Sequence, residues 1–516
     1  MFENTPINFC KSFCRNQFAF AAALEIVAAI MPNLCYLIVA SGLVTVLSIA
    51  LYRRFFHPLS KFPGPIACSV SRLPWAYHVC VGDWIHKVHA MHERYGSVVR
   101  VAPDELSFID SAALRDIYGH RPGGEFPKAI RLFRGTDKFP VSLLVTQDIE
   151  AHRKLRRRLA PSFSDQAMRL QEPSMIRYVD LLLNRLNKLC GIGNLEVDLS
   201  MWFNFTTFDM IGDLSFGESF QCLENSAYHS WISALNRMTR QGAYFVVLGN
   251  MGFEWLVTLL FKTGRLTSRN KNSNLVSEKL LRRMQIQRHD FIEALLRENE
   301  NDQPLPMESL TANCSMLMLG GSETTSTLLC GVTFLLVTNL ESYKKAVREV
   351  RDTFKCLDDI TLTSVSQLHF MHACIKEALR RYPPTAGSQP RFVPPGGAKV
   401  AGHFVPEKTV VSIYPFAASL SSTNFRNPFE YCPDRHLDPS NTVDDMAASQ
   451  PFSVGPRNCI GRNLVFAQSR LILARILFSF EIELAESSRD WMNQKHHILW
   501  DKPPLNVYLT PVMRES

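Results

Sequence analysis

Phe452-Ser453-Val454-Gly455-Pro456-Arg457-Asn458-Cys459-Ile460-Gly461 places one cysteine in a setting suited to a thiolate. A thiolate that binds metal needs hydrogen-bond donors or positive charge around it. Gly455 and Gly461 permit tight backbone geometry, so amide N–H groups can point at the sulfur and the chain can approach a flat cofactor. Arg457, two residues before Cys459, is within reach of an anionic substituent on such a cofactor. Apolar periodicity predicts a long helix over Asn463–Ser479, and its amino-terminal dipole favours negative charge on Cys459. A buried structural cysteine in a turn is the competing reading.

The pattern Phe-x-x-Gly-x-Arg-x-Cys-x-Gly resembles the haem-binding signature of the cytochromes P-450. The resemblance implies haem b as cofactor, with Cys459 as the axial iron ligand, Arg457 on a propionate and Phe452 packed near the sulfur. Three further segments follow the family's order. Glu377-Ala378-Leu379-Arg380 sets a carboxylate and a guanidinium on one helix face. It resembles the family's ExxR pair, with Arg435 of Phe425–Arg435 completing a triad that locks the core behind the haem. Asp434 stands where Glu is commoner, and His436 where an aromatic is usual.

Gly320-Gly321-Ser322-Glu323-Thr324-Thr325 lies inside a predicted helix over Met307–Asn339. Two adjacent glycines there cost about 1 kcal/mol each against alanine. Close helix crossing and a bend that leaves room for a ligand both explain them. The segment resembles the family's oxygen-activation motif, which implies that Thr324 hydrogen-bonds oxygen and that Glu323 feeds protons to it. His152 and Arg156 occupy the places of a family Trp-x-x-x-Arg pair, and Arg391 resembles the strand arginine that meets the other propionate.

Bulk properties narrow the class. Of the 516 residues, 46% are hydrophobic and 20% charged, which suits a chain with a large core. A net charge of +8 without a run of five basic residues argues against nucleic acid as a partner. The 13 cysteines form no regular framework and no CxxC pair, which points to a reducing compartment and mostly buried, inert thiols. No charged residue occurs from Ile26 to Tyr52, and Leu34–Leu51 has bilayer length. Arg53 and Arg54 follow at once, so the positive-inside bias favours a cytosolic body. The expected organisation is an anchor region over 1–52, a Pro-rich connector over 53–65 and a catalytic domain over 66–516. A single pass through the endoplasmic reticulum membrane is the expected setting, with Phe18–Met31 interfacial or an upstream helical extension.

The body reads as mainly α with small segregated β-sheets, an α+β arrangement matching the cytochrome P-450 fold. Predicted helices cover Ser174–Leu189, Leu275–Glu300, Met307–Asn339 and Val365–Tyr382. A β-hairpin is predicted over Val98–Val101 and Glu105–Ile109, and a second strand pair over Ala398–Phe404 and Thr409–Tyr414. His86, His89 and His92 read as a solvated helix face. Arg153, Lys154, Arg157 and Arg158 read as a basic face where an acidic redox partner docks. Phe126–Leu144, parts of Tyr228–Leu260, the Gly320 region and Thr385–Phe392 are the expected pocket walls, rich in apolar side chains.

What the resemblance implies is a monooxygenase that places one atom of O2 in an apolar small molecule by hydroxylation or epoxidation. The Cys459 thiolate would favour O–O cleavage by donating electron density. No GxGxxG fingerprint follows a strand, and no length remains after Ser516 for a flavin domain, so NADPH and flavins are expected only through a separate reductase. The segments around His57-Pro58-Leu59 and Tyr95–Pro103 resemble fungal members that tailor terpenoids, polyketides or alkaloids. A haem-thiolate isomerase or dehydratase that needs no O2, and a haem sensor without turnover, are the alternatives.

Overall fold

The computed structural model describes Met31 and residues 36–129, 141–262, 268–296 and 304–512, apart from 192, 194, 289, 439, 441 and 442. Most of the expected 18–31 patch, the start of the expected span and residues 130–140 of the expected pocket wall lie outside the described residues. Helix α1, Tyr36–Phe56, is apolar, long enough to cross a membrane and unburied by the body. It runs past the expected boundary at 52, because Tyr52–Phe56 continue it as a π-helical turn. Arg53 is drawn toward the body there. Its guanidinium donates to the Val70 carbonyl at 2.7 Å, and its own carbonyl accepts from buried Arg100 at 2.9 Å.

The Pro-rich segment after Phe56 lies against the body instead of spanning open solvent. Leu59 and Phe62 are buried, and the Pro63 carbonyl accepts from the Arg100 amide at 2.7 Å. Gly64 is needed for this approach, since a Cβ there would stand 2.5 Å from the Arg100 carbonyl oxygen. Short helices α2 (Ile66–Val70) and α3 (Leu73–Val81) lead to α4 (Trp84–Tyr95).

Strands β1 (Val98–Ala102) and β2 (Glu105–Phe108) form the expected hairpin. The second expected pair does not form. Ala398–Val400 (β5) folds back on His403–Val405 (β6), and Val410–Ile413 (β7) runs parallel to β2 with Arg391–Phe392 (β4) on its other side. Burial explains the split. Every residue of β7 is buried, as for a central strand covered on both faces, whereas β5 alternates buried and exposed. Near the carboxyl end, β3 (Val197–Asp198), β11 (Asn506–Pro511) and β8 (Phe480–Leu484) form one small sheet, and β9 (Lys495–His496) pairs with β10 (Trp500–Asp501).

Helices make up most of the remainder: α5 (Ser111–Tyr118), α6 (Ile149–Leu159), α7 (Glu172–Cys190), α8 (Leu199–Phe216), α9 (Ser230–Asn250), α10 (Glu254–Lys262), α11 (Ser268–Arg283), α12 (Met307–Val337), α13 (Leu340–Thr353), α14 (His369–Arg381) and α15 (Arg462–Ser479). The fold is thus mainly helical with small separate sheets, as expected. Helix α8 is buried on nearly every side, the pattern of a helix enclosed by others, and packs most extensively on α12. The helix expected over 275–300 stops at Arg283. That side chain turns inward to bind Asp290 at 2.5 Å and the Arg288 carbonyl at 2.7 Å, which fixes a turn before a short helix at Glu293–Leu296.

The histidine triplet is not a solvated face. His92 is buried between the Gly96 carbonyl (2.9 Å) and the Ser107 hydroxyl (2.8 Å), and His89 meets the Leu420 carbonyl at 2.9 Å. The His86 ring packs edge-on against Phe416. Arg153, Lys154 and Arg157 are exposed as expected, while Arg158 is half-buried. Cys68, Cys222, Cys314, Cys330 and Cys374 are buried free thiols, and no disulfide occurs among the described cysteines.

Candidate active site

The cysteine loop is held by its backbone. The Cys459 amide donates to the Phe452 carbonyl at 2.8 Å, and the Phe452 ring packs on Phe466 of α15 with centroids 5.3 Å apart. Gly455 has φ +75°, and a Cβ there would lie 2.0 Å from the Tyr118 carbonyl oxygen, so only glycine fits. The Cys459 side chain is exposed, yet its surroundings are crowded enough that burial raises its pKa. The Gly461 amide and the Arg156 charge oppose that rise without cancelling it. A metal ion at the sulfur would complete the deprotonation.

Among the described residues, four cations gather around this loop with little negative charge. Arg156 donates to the Asn458 carbonyl at 2.7 Å and to the Asn458 side chain. Arg457 pairs with Glu125 and donates to the Thr146 carbonyl at 3.1 Å. Arg391, on β4, stacks over the Tyr118 ring and reaches only the Gln389 and Pro390 carbonyls beside it. Lys128, which the motifs did not signal, is buried and donates to the Leu144 carbonyl at 2.5 Å. Burial, then Arg457 and Arg391, push its ammonium down to about 7, with Glu125 opposing. Burial and all four cations push His152 down to about 3, so its imidazole is neutral. Buried like charges at this density call for anions. A cofactor with two carboxylates beside a metal and a thiolate suits the set, as haem b would.

A model of the family described as Cytochrome P450 matches residues 66–509. The chain belongs to the cytochrome P450 family. It is 42% identical over 478 residues to the cytochrome P450 monooxygenase tpeC of Talaromyces stipitatus, covering 90% of this chain and 93% of that protein. It is 40% identical over 483 residues to the trichothecene C-15 hydroxylase of Fusarium sporotrichioides, covering 91% and 97%. The averantin hydroxylase of Dothistroma septosporum is 40% identical over 472 residues, covering 90% and 89%. The protein is therefore a monooxygenase whose cofactor is haem b and whose electrons come from a separate reductase.

In this P450 the two arginines and the glutamate of the expected triad do meet. Glu377 and Arg380 are fully buried, paired at 2.7 and 2.9 Å, and Arg435 reaches Glu377 at 3.1 Å. The carboxylate also accepts from the Cys432 amide at 3.1 Å, and His436 Nε2 lies 2.9 Å from it. His436, which departs from the usual aromatic, thus supplies a further polar partner. Asp434 points outward and pairs with Lys345, so its departure from Glu falls at an exposed site. Arg380 spends its remaining donors on the Ser419, Pro428 and Glu430 carbonyls at 2.7, 2.7 and 3.0 Å.

On α12 the two glycines do different jobs. A Cβ at Gly321 would meet Ile211 Cδ1 of α8 at 2.7 Å, so that glycine permits close crossing. A Cβ at Gly320 meets nothing within 4 Å, so that glycine leaves space. The exposed Thr324 hydroxyl donates to the Gly320 carbonyl at 2.5 Å on that open side. Glu323 is held elsewhere. Asn204 of α8 donates to one of its oxygens at 2.9 Å, and Lys502 forms an ion pair with the other. Lys502 also reaches the Thr327 hydroxyl at 2.6 Å. Lys128, Glu125, Asn204 and Lys502 carry no local signature and are found only through the fold.

Proposed function

We propose that this chain is an anchored haem-thiolate P450 in which Cys459 is the axial ligand, acting on an apolar secondary metabolite. The observation that carries this reading is an exposed Cys459 beside four cations that, among the described residues, have Glu125 as their carboxylate partner. Arg156, Arg391, Arg457 and Lys128 would hold the two propionates, with neutral His152 as a lesser donor. Phe452, Gly455 and Gly461 shape the loop that presents the sulfur. Glu377, Arg380 and Arg435 fix the segment that precedes it. Bound haem b supplies the iron that, given two electrons and two protons, splits O2 between substrate and water.

This chain's own residues handle position and protons. The Thr324 hydroxyl stands on the open side of α12, and its i−4 bond to the Gly320 carbonyl sets its orientation. Glu323, one residue earlier, is the acid that restores its proton. The domain boundaries that fit this reading are an anchor ending near 52, a connector to 65 and a catalytic body beyond. Ile66, Leu73 and Tyr77 are exposed on the short helices that follow α1, which supports contact with lipid as well as a single span. An endoplasmic reticulum membrane, a cytosolic body and an NADPH-dependent reductase complete the proposal. The relatives' names, a trichothecene and an averantin hydroxylase, support hydroxylation of a terpenoid or polyketide.

The test is the absorption spectrum of the reduced, carbon-monoxide-bound protein. Wild type should show the far-red-shifted Soret band of thiolate ligation, and Cys459→Ala should lose it. An unchanged band in the variant refutes the ligand assignment.

A further inference from the structure

Lys502 lies 179 residues from Glu323 in sequence, yet it forms an ion pair with that carboxylate. Both groups are largely screened from solvent, with side chains 8% and 13% exposed. The segment that carries Lys502 is pinned along its length. Trp500 Nε1 donates to the Pro383 carbonyl at 2.8 Å, Trp491 Nε1 to Pro503 at 3.0 Å and the Ser488 hydroxyl to Pro504 at 3.1 Å. The Leu505 amide donates to Asp198 at 2.9 Å, and the Leu505 carbonyl accepts from the Leu199 amide at 2.9 Å. Asp198 caps α8, the same helix that brings Asn204 to the other carboxylate oxygen. Two prolines further restrict the backbone between these anchors. A lysine tethered this firmly is not a wandering surface cation.

The partners of Glu323 are therefore complete. Asn204 holds one oxygen, and Lys502 holds the other while touching Thr327, whose hydroxyl donates to the Glu323 carbonyl at 2.7 Å. Of the other titratable groups in electrostatic reach, Tyr382 and Cys330 are kept neutral by burial, Tyr228 is also raised by burial, and Asp198 is occupied by backbone amides. Lys502 is the one cation in ion-pair contact with Glu323 among the described residues. A buried carboxylate without such a partner takes up a proton or turns toward water.

We propose that Lys502 is a positioning residue that holds the Glu323 carboxylate in place, so that Glu323 exchanges protons with the Thr324 side of α12 only by loosening this pair. The proposal rests on the reading of Glu323 as the proton-supplying acid. It gives the carboxyl-terminal segment, distant in sequence from the helix motif it touches, control over proton delivery.

The experiment uses the full-length haem-loaded protein with a NADPH–P450 reductase and O2, and carbon monoxide as the probe of the oxygen side. Two quantities are read: the infrared C–O stretch of the reduced carbon-monoxide complex, and the rate of O2-dependent NADPH consumption. Lys502→Met should shift the stretch and slow consumption roughly tenfold, less than the loss of a general acid itself because Lys502 acts only through Glu323. Lys502→Arg keeps the charge and should restore both. Thr327→Val, a milder change that removes one Lys502 contact, should move both readouts in the direction of Lys502→Met. In a Glu323→Gln background Lys502→Met should add nothing, because residues acting through one group are not additive. An undiminished effect of Lys502→Met in that background overturns the proposal. So does a wild-type stretch and rate in Lys502→Met when Glu323→Gln alone alters both. If Glu323→Gln changes neither quantity, the reading of Glu323 fails first and takes the proposal with it.

Discussion

At the level of single residues, charge balance separates structural from cofactor-directed groups. Glu377 has more donors than it needs. Burial is the largest influence on its carboxyl and raises its pKa, but His436 and Arg380 together outweigh it and leave the group below its ordinary value. A carboxyl with a lowered folded pKa contributes stability above the unfolded value, and that contribution is lost as pH falls through the folded one. The stability of wild type against chemical unfolding should therefore fall below about pH 4.3, and Glu377→Gln should flatten that limb. The same variant leaves Arg380 buried without its partner, at a cost of roughly 3–5 kcal/mol near neutrality. Lys128 is the opposite case, a cation with too few anions. Lys128→Met should leave the haem-free fold at least as stable while haem passes to apomyoglobin roughly tenfold faster, as expected for one lost charge-assisted bond. Equal transfer rates would remove Lys128 from the cradle.

At the level of elements, α12 shows what a motif can and cannot disclose. The glycine pair stood out because two glycines are costly in a helix, but sequence left crossing and ligand space as rival causes. The fold assigns one to each residue. Gly321→Ala should destabilise by about 1–3 kcal/mol from overpacking against Ile211, and Ile211→Val should relieve part of it. Gly320→Ala should stabilise the haem-free helix by up to about 1 kcal/mol, yet perturb the reduced carbon-monoxide spectrum by filling the open side. Thermal midpoints that move the same way in both variants would contradict this division. Motifs were legible where chemistry crowds its residues into a few positions, as at Phe452–Gly461 and Glu377–Arg380. Strand partnership was not, because β7 alternates no differently from a hairpin strand until β2, a segment near the other end of the chain, covers its edge. His86 and His89 misled for the same reason, since Phe416 and Leu420 cover them from a distant segment, while His92 is buried against Gly96 and Ser107.

At the level of the whole molecule, helix α1 and the body meet through two guanidiniums, Arg53 on the Val70 carbonyl and buried Arg100 on the Arg53 carbonyl. Arg100 is almost fully buried, and burial pushes its pKa down to about 10 despite Asp104 nearby. Its donors go to the Arg53 and Pro103 carbonyls, so the last turn of α1 supplies a bond that β1 requires. Helix α1 is then divisible into a part unburied by the body and a last turn that the body needs. A protein beginning at Tyr52 should leave the membrane and keep both its thermal midpoint and its reduced carbon-monoxide band. A protein beginning at Ile66 loses the Arg53 carbonyl, the Pro63 carbonyl and the buried side chains of Leu59 and Phe62. Two buried apolar side chains alone are worth roughly 3–5 kcal/mol, and an orphaned guanidinium adds to the loss. The shorter protein should unfold several degrees lower and lose haem sooner. Identical midpoints for the two truncations would show that the connector only tethers, and that Arg100 finds other acceptors once Arg53 is gone.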